Sequence, residues 1–517
     1  MADPRGIEPA TGVRLPAPEL RELLEQTGLP DAAAMASVLG APTPERRIFV
    51  NRNLRMDQVQ VVGFDMDYTL ALYNQPELER LSIELTVEKL VEKRGYSPEI
   101  RTLPYDRRYA LRGLVVDRKL GNLLKVDRYG HVGRAYHGTK KIEKDERYEL
   151  YRMATKTRLR PPRFAWIDTL FALPEASMYV ALIDFFEARG QELDYDALWQ
   201  DVRDCIDEAH RDDTLKTIIK ADMARYIGED PEIAATLHKL RSSGKRLFLA
   251  TNSLYDYTDA VMRFLLDGKL PAYPSWRNYF DYILVGTAKP AFFTEPRPFQ
   301  ELDAGGQVVA TEAMHLHRGR IYQGGNLTAL QATFADVPAD QVLYVGDHIY
   351  GDMVRSKKSS NWRTVMIVQE LEEEIAIRER QVERIAELEG VTRRLGELDA
   401  DIHFAQTVQK TLERLRDHGL ADRERVDLAR RAARADLERL REQLKDALAM
   451  HQKLRREIDS TFHPFWGQLF REGNENSRFG EQVEDYADMY TSRVSNLLRY
   501  SPLQYFRAPR DYMPHEL

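Results

Sequence analysis

The chain has 517 residues, 43% hydrophobic and 30% charged, so it can build a sizeable core and is not a disordered chain. Its 75 basic and 82 acidic residues give a formal charge of −7, which offers no global basic bias for nucleic acid and no cationic face for a membrane. A single cysteine, Cys205, excludes an intramolecular disulfide framework and fits a reducing compartment. The start, MADPRGIEPATG, lacks the basic and apolar regions of a secretory signal. No run approaches the roughly 18 apolar residues of a membrane span. A soluble, cytoplasmic, globular protein is expected.

Residues 1–45 hold seven of the 24 prolines, which predicts an extended arm around one short helix near residues 18–39. From Val59 onward, short apolar runs appear that do not alternate: VQVVGFDM, RLFLATNS, YILVGTAK, VLYVGDH and RTVMIVQEL. Strands apolar on both faces belong to parallel sheets covered by helices on both sides. Helical stretches such as DPEIAATLHKLRSSGK lie between several of them, with Gly244 placed to end that helix. The expected fold class is therefore α/β, an open, doubly wound, mainly parallel sheet.

Between the strands ending near Asp67 and starting near Arg246 lie far more residues than a crossover needs. A second α+β unit is expected there, with helices in VALIDFFEAR and DALWQDVRDCIDEAH and strands in GLVVD and NLLKVD. Residues 371–460 hold 21 acidic and 19 basic residues. Within them Leu437, Leu440, Leu444, Ala447, His451, Leu454 and Ile458 are spaced alternately three and four apart, as are Leu388, Val391, Leu395, Leu398 and Ile402. Heptad spacing broken at Asp417-His418-Gly419-Leu420 predicts an antiparallel helical hairpin with solvated charged faces. The expected organisation is an arm (1–45), a core (46–75 and 230–370), an insertion (76–229), the hairpin (371–460) and a C-terminal segment (461–517) packed on the core.

Chemistry-bearing residues gather at strand ends. Asp65-Met66-Asp67-Tyr68-Thr69 follows an apolar strand, and two carboxylates there can aim into the crevice where open α/β sheets bind ligands. One can attack an electrophile while the other manages protons. Thr251, Asn252 and Ser253 end a second strand with groups able to donate to phosphate oxygens. Lys289 follows a third, where an ammonium could neutralise developing negative charge. Asp347 and Asp352 follow a fourth in GDHIYGD. Taken singly, these are a cap, a surface lysine and turn residues. Jointly they place acid, hydroxyl, lysine and acid on one sheet edge. Hard oxygen ligands from Asp65, Asp347 and Asp352 suit Mg²⁺. The metal and Lys289 would offset repulsion between an anionic nucleophile and a phosphomonoester.

This order of motifs resembles the haloacid dehalogenase superfamily of aspartyl-phosphate phosphohydrolases, and within it the cytosolic purine 5′-nucleotidase (nucleotidase II-like) family, from Ile48 to His515. The carrying residues include VNRNL at 50–54, GFDMDYTLALY at 63–73, GNLLKVD at 121–127, DTLFALPEA at 168–176, QDVRD at 200–204, FLATNSLYDYTD at 248–259, LYVGDHIYGDMVRSKK at 343–358 and YMPHE at 512–516. The resemblance implies Asp65 as nucleophile, Asp67 as general acid/base and, through its backbone carbonyl, a further metal ligand, Thr251 and Lys289 as phosphate contacts, and Asp347 and Asp352 at the Mg²⁺ site. The insertion would be a cap that closes over substrate.

Arg203, Asp207 and His210 share one helix face in the sequence, with Lys216 beyond them. On spacing alone they read as a surface ion pair. By resemblance they bind a nucleotide together with Phe171, which would stack on the base. A 6-oxopurine presents an acceptor at O6 and a donor at N1–H, which Arg203 and Asp207 complement. Adenine reverses that polarity, so IMP or GMP is expected over AMP. Ala172 departs from an amide of the family's base pocket. Asp168 and Asp485 depart from an amide and a basic residue at its activator site, although Arg158, Tyr350, Lys358 and Gln482 fit it. Two added negative charges near a polyphosphate argue against activation by ATP.

The expected function is a Mg²⁺-dependent purine 5′-nucleotidase, with phosphotransfer to a nucleoside as a second reaction. A phosphatase acting on another phosphomonoester and a non-catalytic interaction protein working through the hairpin stand as alternatives. The intact set Asp65, Asp67, Thr251, Lys289 and Asp347 favours catalysis. A purine nucleoside monophosphate as substrate, no nucleic acid, no membrane, and a homo-oligomer (dimer or tetramer) complete the expectation.

Overall fold

The structure is a computed structural model that describes residues 42–106, 108–152, 159–313, 315–354, 360–418 and 422–516. The helix expected near 18–39 lies outside them, as do Arg158 and Lys358. Strands β1 (Phe49–Val50) and β2 (Val61–Phe64) precede the insertion. Within it lie β3 (Leu114–Asp117), β4 (Asn122–Val126), β5 (Val132–His137), β6 (Lys140–Lys141) and β7 (Phe164–Ile167). Strands β8 (Arg246–Ala250), β9 (Tyr282–Val285), β10 (Phe299–Leu302), β11 (Val308–Ala313), β12 (Arg320–Gly324), β13 (Val342–Gly346), β14 (Arg363–Ile367) and β15 (Met489–Thr491) follow. The helices that matter for the site are α1 (Gln75–Arg94), α2 (Leu173–Glu187), α3 (Tyr195–Arg211), α4 (Thr214–Ala221), α5 (Ile233–Ser242) and α6 (Tyr255–Leu266).

Ten strands form one sheet in the order β1-β15-β14-β13-β2-β8-β9-β12-β10-β11. The seven from β15 to β12 run parallel, and β1, β10 and β11 add antiparallel edges. The five apolar runs read from the sequence are the strands β2, β8, β9, β13 and β14. Their residues are almost all buried, which is why they lack alternation. Phe248 fixes the centre, with ring centroids 6.1 Å from Tyr344 and 5.9 Å from Trp362. Gly63 permits this, because a Cβ there would meet the Phe248 ring at 2.1 Å. Successive strands step outward from β2 through β8, β9 and β12, then the chain returns to β13 on the other side of β2. The switch point therefore falls between β2 and β13, where such sheets leave a crevice at the strands' C-terminal ends.

The insertion carries a five-stranded antiparallel sheet, β6-β5-β4-β3-β7, over a core that includes Val115, Leu124, Val126 and Phe164. In α3, Leu198, Trp199, Val202, Cys205, Ile206 and Ala209 are buried, a spacing that sets an amphipathic helix on its neighbours. Asp194 caps its start, accepting from Asp196 N–H at 3.0 Å and Ala197 N–H at 3.1 Å. On α1, Lys89 and Lys93 pair with Asp212 and Glu208, tying the first helix of the insertion to the end of α3.

The chain divides into two compact units, one running to Glu373 and resuming at Leu469, the other Glu374–Gln468. The second unit contains α7 (Val382–Asp417) and α8 (Arg423–Phe462). Leu398, Ile402, Leu437, Leu454 and Ile458 are its buried heptad positions, and most charged positions between them are exposed. In the first unit a further helix, α9 (Arg478–Tyr486), leads into β15, so the C-terminal segment supplies a strand of the main sheet.

Candidate active site

Parallel pairing of β13, β2, β8 and β9 brings Asp65, Thr251, Lys289 and Asp347 to one edge of the sheet. The Asp65 N–H donates to Val345 O at 2.9 Å, which locks the end of β2 to β13. Lys289 Nζ lies 3.0 Å from Asp65 Oδ2 and 2.7 Å from Asp352 Oδ1, and donates to Tyr344 Oη at 2.9 Å. Asp352 sits on a π-type turn, Ile349–Val354. Gly346 allows it so close to the strand end, since a Cβ there would meet Asp352 Oδ2 at 2.5 Å.

Asp65, Asp347 and Asp352 each offer an oxygen within 4.8 Å of the others, and all three are buried. Burial first, then Asp352, pushes the Asp347 carboxyl up to about 7; Arg112 works against the rise. Burial also raises Asp65 well above the usual carboxylate range, reinforced by Asp352, Asp347 and Asp67 and opposed by Lys289. Three clustered carboxylates with one ammonium leave an excess of negative charge that a divalent cation would balance. The all-oxygen donor set fits a hard cation. When bound, such a cation would neutralise charge on a phosphoryl group between Asp65 and its leaving oxygen.

Asp67 is gripped from three sides. Tyr73 Oη donates to its Oδ1 at 2.6 Å, Ser253 Oγ to its Oδ2 at 2.9 Å, and Thr251 Oγ1 to the same oxygen at 3.4 Å. Tyr73 Oη is in turn 2.8 Å from Tyr257 Oη. Between Asp67 and Thr69, Tyr68 takes φ 55°, a left-handed turn that carries the chain away from the strand. A cavity of about 350 Å³ opens beside this network. Asp67, Asn252 and Ser253 form its wall towards the carboxylate cluster, while Asp65, Thr251, Lys289, Asp347 and Asp352 lie behind that wall.

The insertion supplies the rest of the cavity. Phe171, Arg203, Asp207, His210 and Lys216 all line it. Phe171 packs edge-on against Tyr68 at 4.6 Å and His210 at 5.7 Å. Asn252, which lines the cavity, also holds the neighbouring loop. Its Oδ1 accepts from Lys289 N–H at 2.6 Å and Thr287 Oγ1 at 3.0 Å, and its Nδ2 donates to Lys289 O at 2.9 Å. It therefore clamps the loop that aims Lys289. Thr251 is fully buried, its Oγ1 accepting from Ser253 N–H at 3.0 Å.

Three contributors went unassigned in the sequence. Glu175 lines the cavity at 5% exposure, with Oε2 3.2 Å from Arg203 Nη1. Burial pushes its carboxyl up to about 8; Arg203 opposes the rise, and Asp207 and Asp168 add to it. Arg112 is buried, donates to Asp347 O at 3.1 Å and pairs with Glu370, so it fixes the backbone at Asp347. Tyr73 is the third. The FALPEA run carries an acid and two alanines on a helix start, and only that buried acid was a signal.

Of the residues expected at an activator site, Asp168 lines this same cavity and lies 3.6 Å from His348 Nε2. Burial disfavours charge on His348, but Asp168 outweighs it and the imidazole is pushed up to about 9. Tyr350 is exposed and Gln482 buried. Asp485 accepts from Arg52 through its backbone oxygen at 2.6 Å.

The family model described as the 5′ nucleotidase family matches residues 48–517. A 5′-nucleotidase domain-containing protein 2 from Rattus norvegicus is 31% identical over 91% of this chain and 80% of its own length. Its Homo sapiens counterpart is 30% identical over 91% and 85%. A 5′-nucleotidase domain-containing protein of Dictyostelium discoideum is 28% identical over 91% and 74%. Solved structures that resemble the chain include CbbY from Rhodobacter sphaeroides in complex with phosphate, 14% identical over 60% of this chain and 86% of that one, with a TM-score of 0.23. From the carboxylate cluster, the adjoining cavity and a match that spans nearly all of its length, the chain belongs to the 5′ nucleotidase family and is a phosphatase enzyme.

Proposed function

We propose that the protein hydrolyses purine nucleoside 5′-monophosphates with Mg²⁺, preferring IMP and GMP, through an aspartyl-phosphate at Asp65. One juxtaposition carries this reading: Asp67, held by Tyr73 and Ser253, stands between the Asp65–Lys289 cluster and a cavity walled by Phe171, Arg203 and Asp207. A cavity of about 350 Å³ is of the size that takes a small ligand such as a mononucleotide. An Asp65 oxygen attacks phosphorus, the bond to O5′ breaks, and protonated Asp67 gives its proton to the departing oxygen. Asp67 then takes a proton from water, whose oxygen attacks phosphorus and releases inorganic phosphate and Asp65. A nucleoside hydroxyl in place of that water gives the phosphotransferase reaction. Residues 76–229 act as the cap, since they bring Phe171, Arg203, Asp207, His210 and Lys216 to the cavity.

Phosphate release from IMP, GMP, AMP, CMP and UMP tests the base reading. The 6-oxopurine nucleotides are expected to exceed AMP by about tenfold or more in kcat/KM, because adenine would leave Arg203 and Asp207 unpaired. Equal turnover of AMP overturns base recognition and leaves the chemistry standing.

Glu175 gives this site a pH dependence. Its carboxyl is raised to about 8 from an ordinary value of 4.5, so the neutral acid is the form that the fold favours. Stability linked to it is full below about 4.5 and is lost as pH rises through about 8. Above that pH a carboxylate faces the anionic nucleotide and engages Arg203. The KM for IMP is therefore expected to rise above pH 8 in the wild type and to stay flat in Glu175→Gln, measured as a KM-against-pH profile.

A further inference from the structure

The chain enters the insertion and leaves it at one place. Leu72–Tyr73 and Ile227–Gly228 pair there as a two-stranded antiparallel ribbon, with Tyr73 opposite Ile227. Asn74 extends the pairing, its N–H donating to Tyr226 O at 2.8 Å and its Nδ2 to Arg225 O at 3.1 Å. Beyond it, Arg225 Nε lies 2.7 Å from Glu77 Oε2. The two crossings between core and insertion are thus bonded to each other, and a shift of the insertion is felt by this ribbon.

Tyr73 is the ribbon residue that reaches the reaction centre. It is buried, and its ring centroid sits 5.0 Å from that of Tyr68 and 6.0 Å from that of Phe171. Its hydroxyl has one proton, which goes to Asp67 Oδ1 at 2.6 Å, so Tyr257 Oη donates to it in turn across 2.8 Å. The two oxygens of Asp67 answer to different parts of the fold. Oδ2 is held from the core, by Ser253 and Thr251 just after β8. Oδ1 takes its one side-chain hydrogen bond among the described residues from the ribbon. A carboxyl turns about a bond with a broad energy well, so the position of Tyr73 sets the plane of Asp67.

We infer that Tyr73 is a positioning residue that couples the seating of residues 76–229 to the aim of Asp67. The inference rests on the reading of Asp67 as the acid towards O5′ and of residues 76–229 as the cap. A nucleotide engaged by Phe171, Arg203 and Asp207 seats the cap, the ribbon carries Tyr73 with it, and the Asp67 carboxyl turns towards O5′. With the cap unseated the acid is misaligned, so cleavage of the P–O5′ bond waits for a base that fits.

The test compares IMP with its analogue that has sulfur in place of O5′, in the full-length protein with Mg²⁺. In both, an Asp65 oxygen attacks phosphorus. With IMP the P–O5′ bond breaks and Asp67 protonates the departing oxygen; with the analogue the P–S bond breaks and the thiolate leaves unprotonated, needing no acid. The ratio kcat/KM covers the steps up to the aspartyl-phosphate, where the two substrates differ. Tyr73→Phe keeps the ring and removes the hydroxyl. It is expected to lower kcat/KM about tenfold or more for IMP and less than about threefold for the analogue. Asn74→Pro suits a backbone φ of −70° and removes both ribbon hydrogen bonds of Asn74, which does not line the cavity. It is expected to show the same selective loss, about threefold or more for IMP. Thermal unfolding shows that each variant is folded, and Tyr257→Phe, which frees Tyr73 Oη from its donor, takes the place of Tyr73→Phe if that variant does not fold. Equal loss on both substrates, or no loss on IMP, in Tyr73→Phe overturns the positioning role. Full IMP turnover in Asn74→Pro overturns the coupling to the cap. Asp67→Asn is the reference, and an absence of selective loss there overturns the acid role of Asp67 itself.

Discussion

Asp65→Asn is expected to lower turnover of IMP by about four orders of magnitude or more, with the folded chain intact. The amide matches the carboxylate in shape but cannot attack phosphorus. Nor should it loosen the site. Burial and three neighbouring carboxylates already disfavour charge on Asp65, so removing that charge relieves repulsion. Lys289 keeps Asp352 at 2.7 Å and Tyr344 at 2.9 Å. Steady-state phosphate release, read beside the melting temperature, checks both halves. Residual activity above about 1% of wild type would assign the attack to another group.

Removal of divalent metal is expected to abolish turnover and to change how stability depends on pH. Asp347 is raised from 3.8 to about 7 in the metal-free cluster, so the fold favours its neutral form. That contribution is full below about pH 4 and is lost as pH rises through about 7. In chelator, the melting temperature should therefore fall between pH 5.5 and pH 8. Mg²⁺ binds the ionised carboxylates, so it should raise the melting temperature by about 3 °C or more at pH 8 and by less at pH 5.5. A Mg²⁺ effect that is larger at pH 5.5 would contradict the three-carboxylate site.

The strands that carry the site were legible because they are buried on both faces. VVGF, RLFLA, YILV and VLYVG read as parallel strands without structural help, and their ends hold Asp65, Thr251, Lys289 and Asp347. The heptads of α7 and α8 were legible for the opposite reason, one narrow apolar stripe between charged faces. The edge hairpin β10–β11 was not, since VVATEA is exposed and has no apolar period. Three-residue β15 is too short to carry a pattern, and only its pairing with β14 makes it part of the sheet. Positioning residues were the least legible part of the site. Asn252 has the right type for a phosphate donor, and only the folded loop shows that its amide also holds Lys289 and Thr287. Arg112 reaches Asp347 across 235 positions of sequence, which no local spacing can reveal.

In the proposed reaction Asp65 carries the phosphoryl group during turnover. Acid-quenched protein taken from steady-state hydrolysis of IMP in Mg²⁺, digested and mapped by mass spectrometry, tests it most directly. A phosphoryl group on the peptide containing Asp65, lost on incubation without substrate and never formed in Asp65→Asn, is the predicted result. Phosphate released at full rate with Asp65 unmodified and another residue phosphorylated would contradict it.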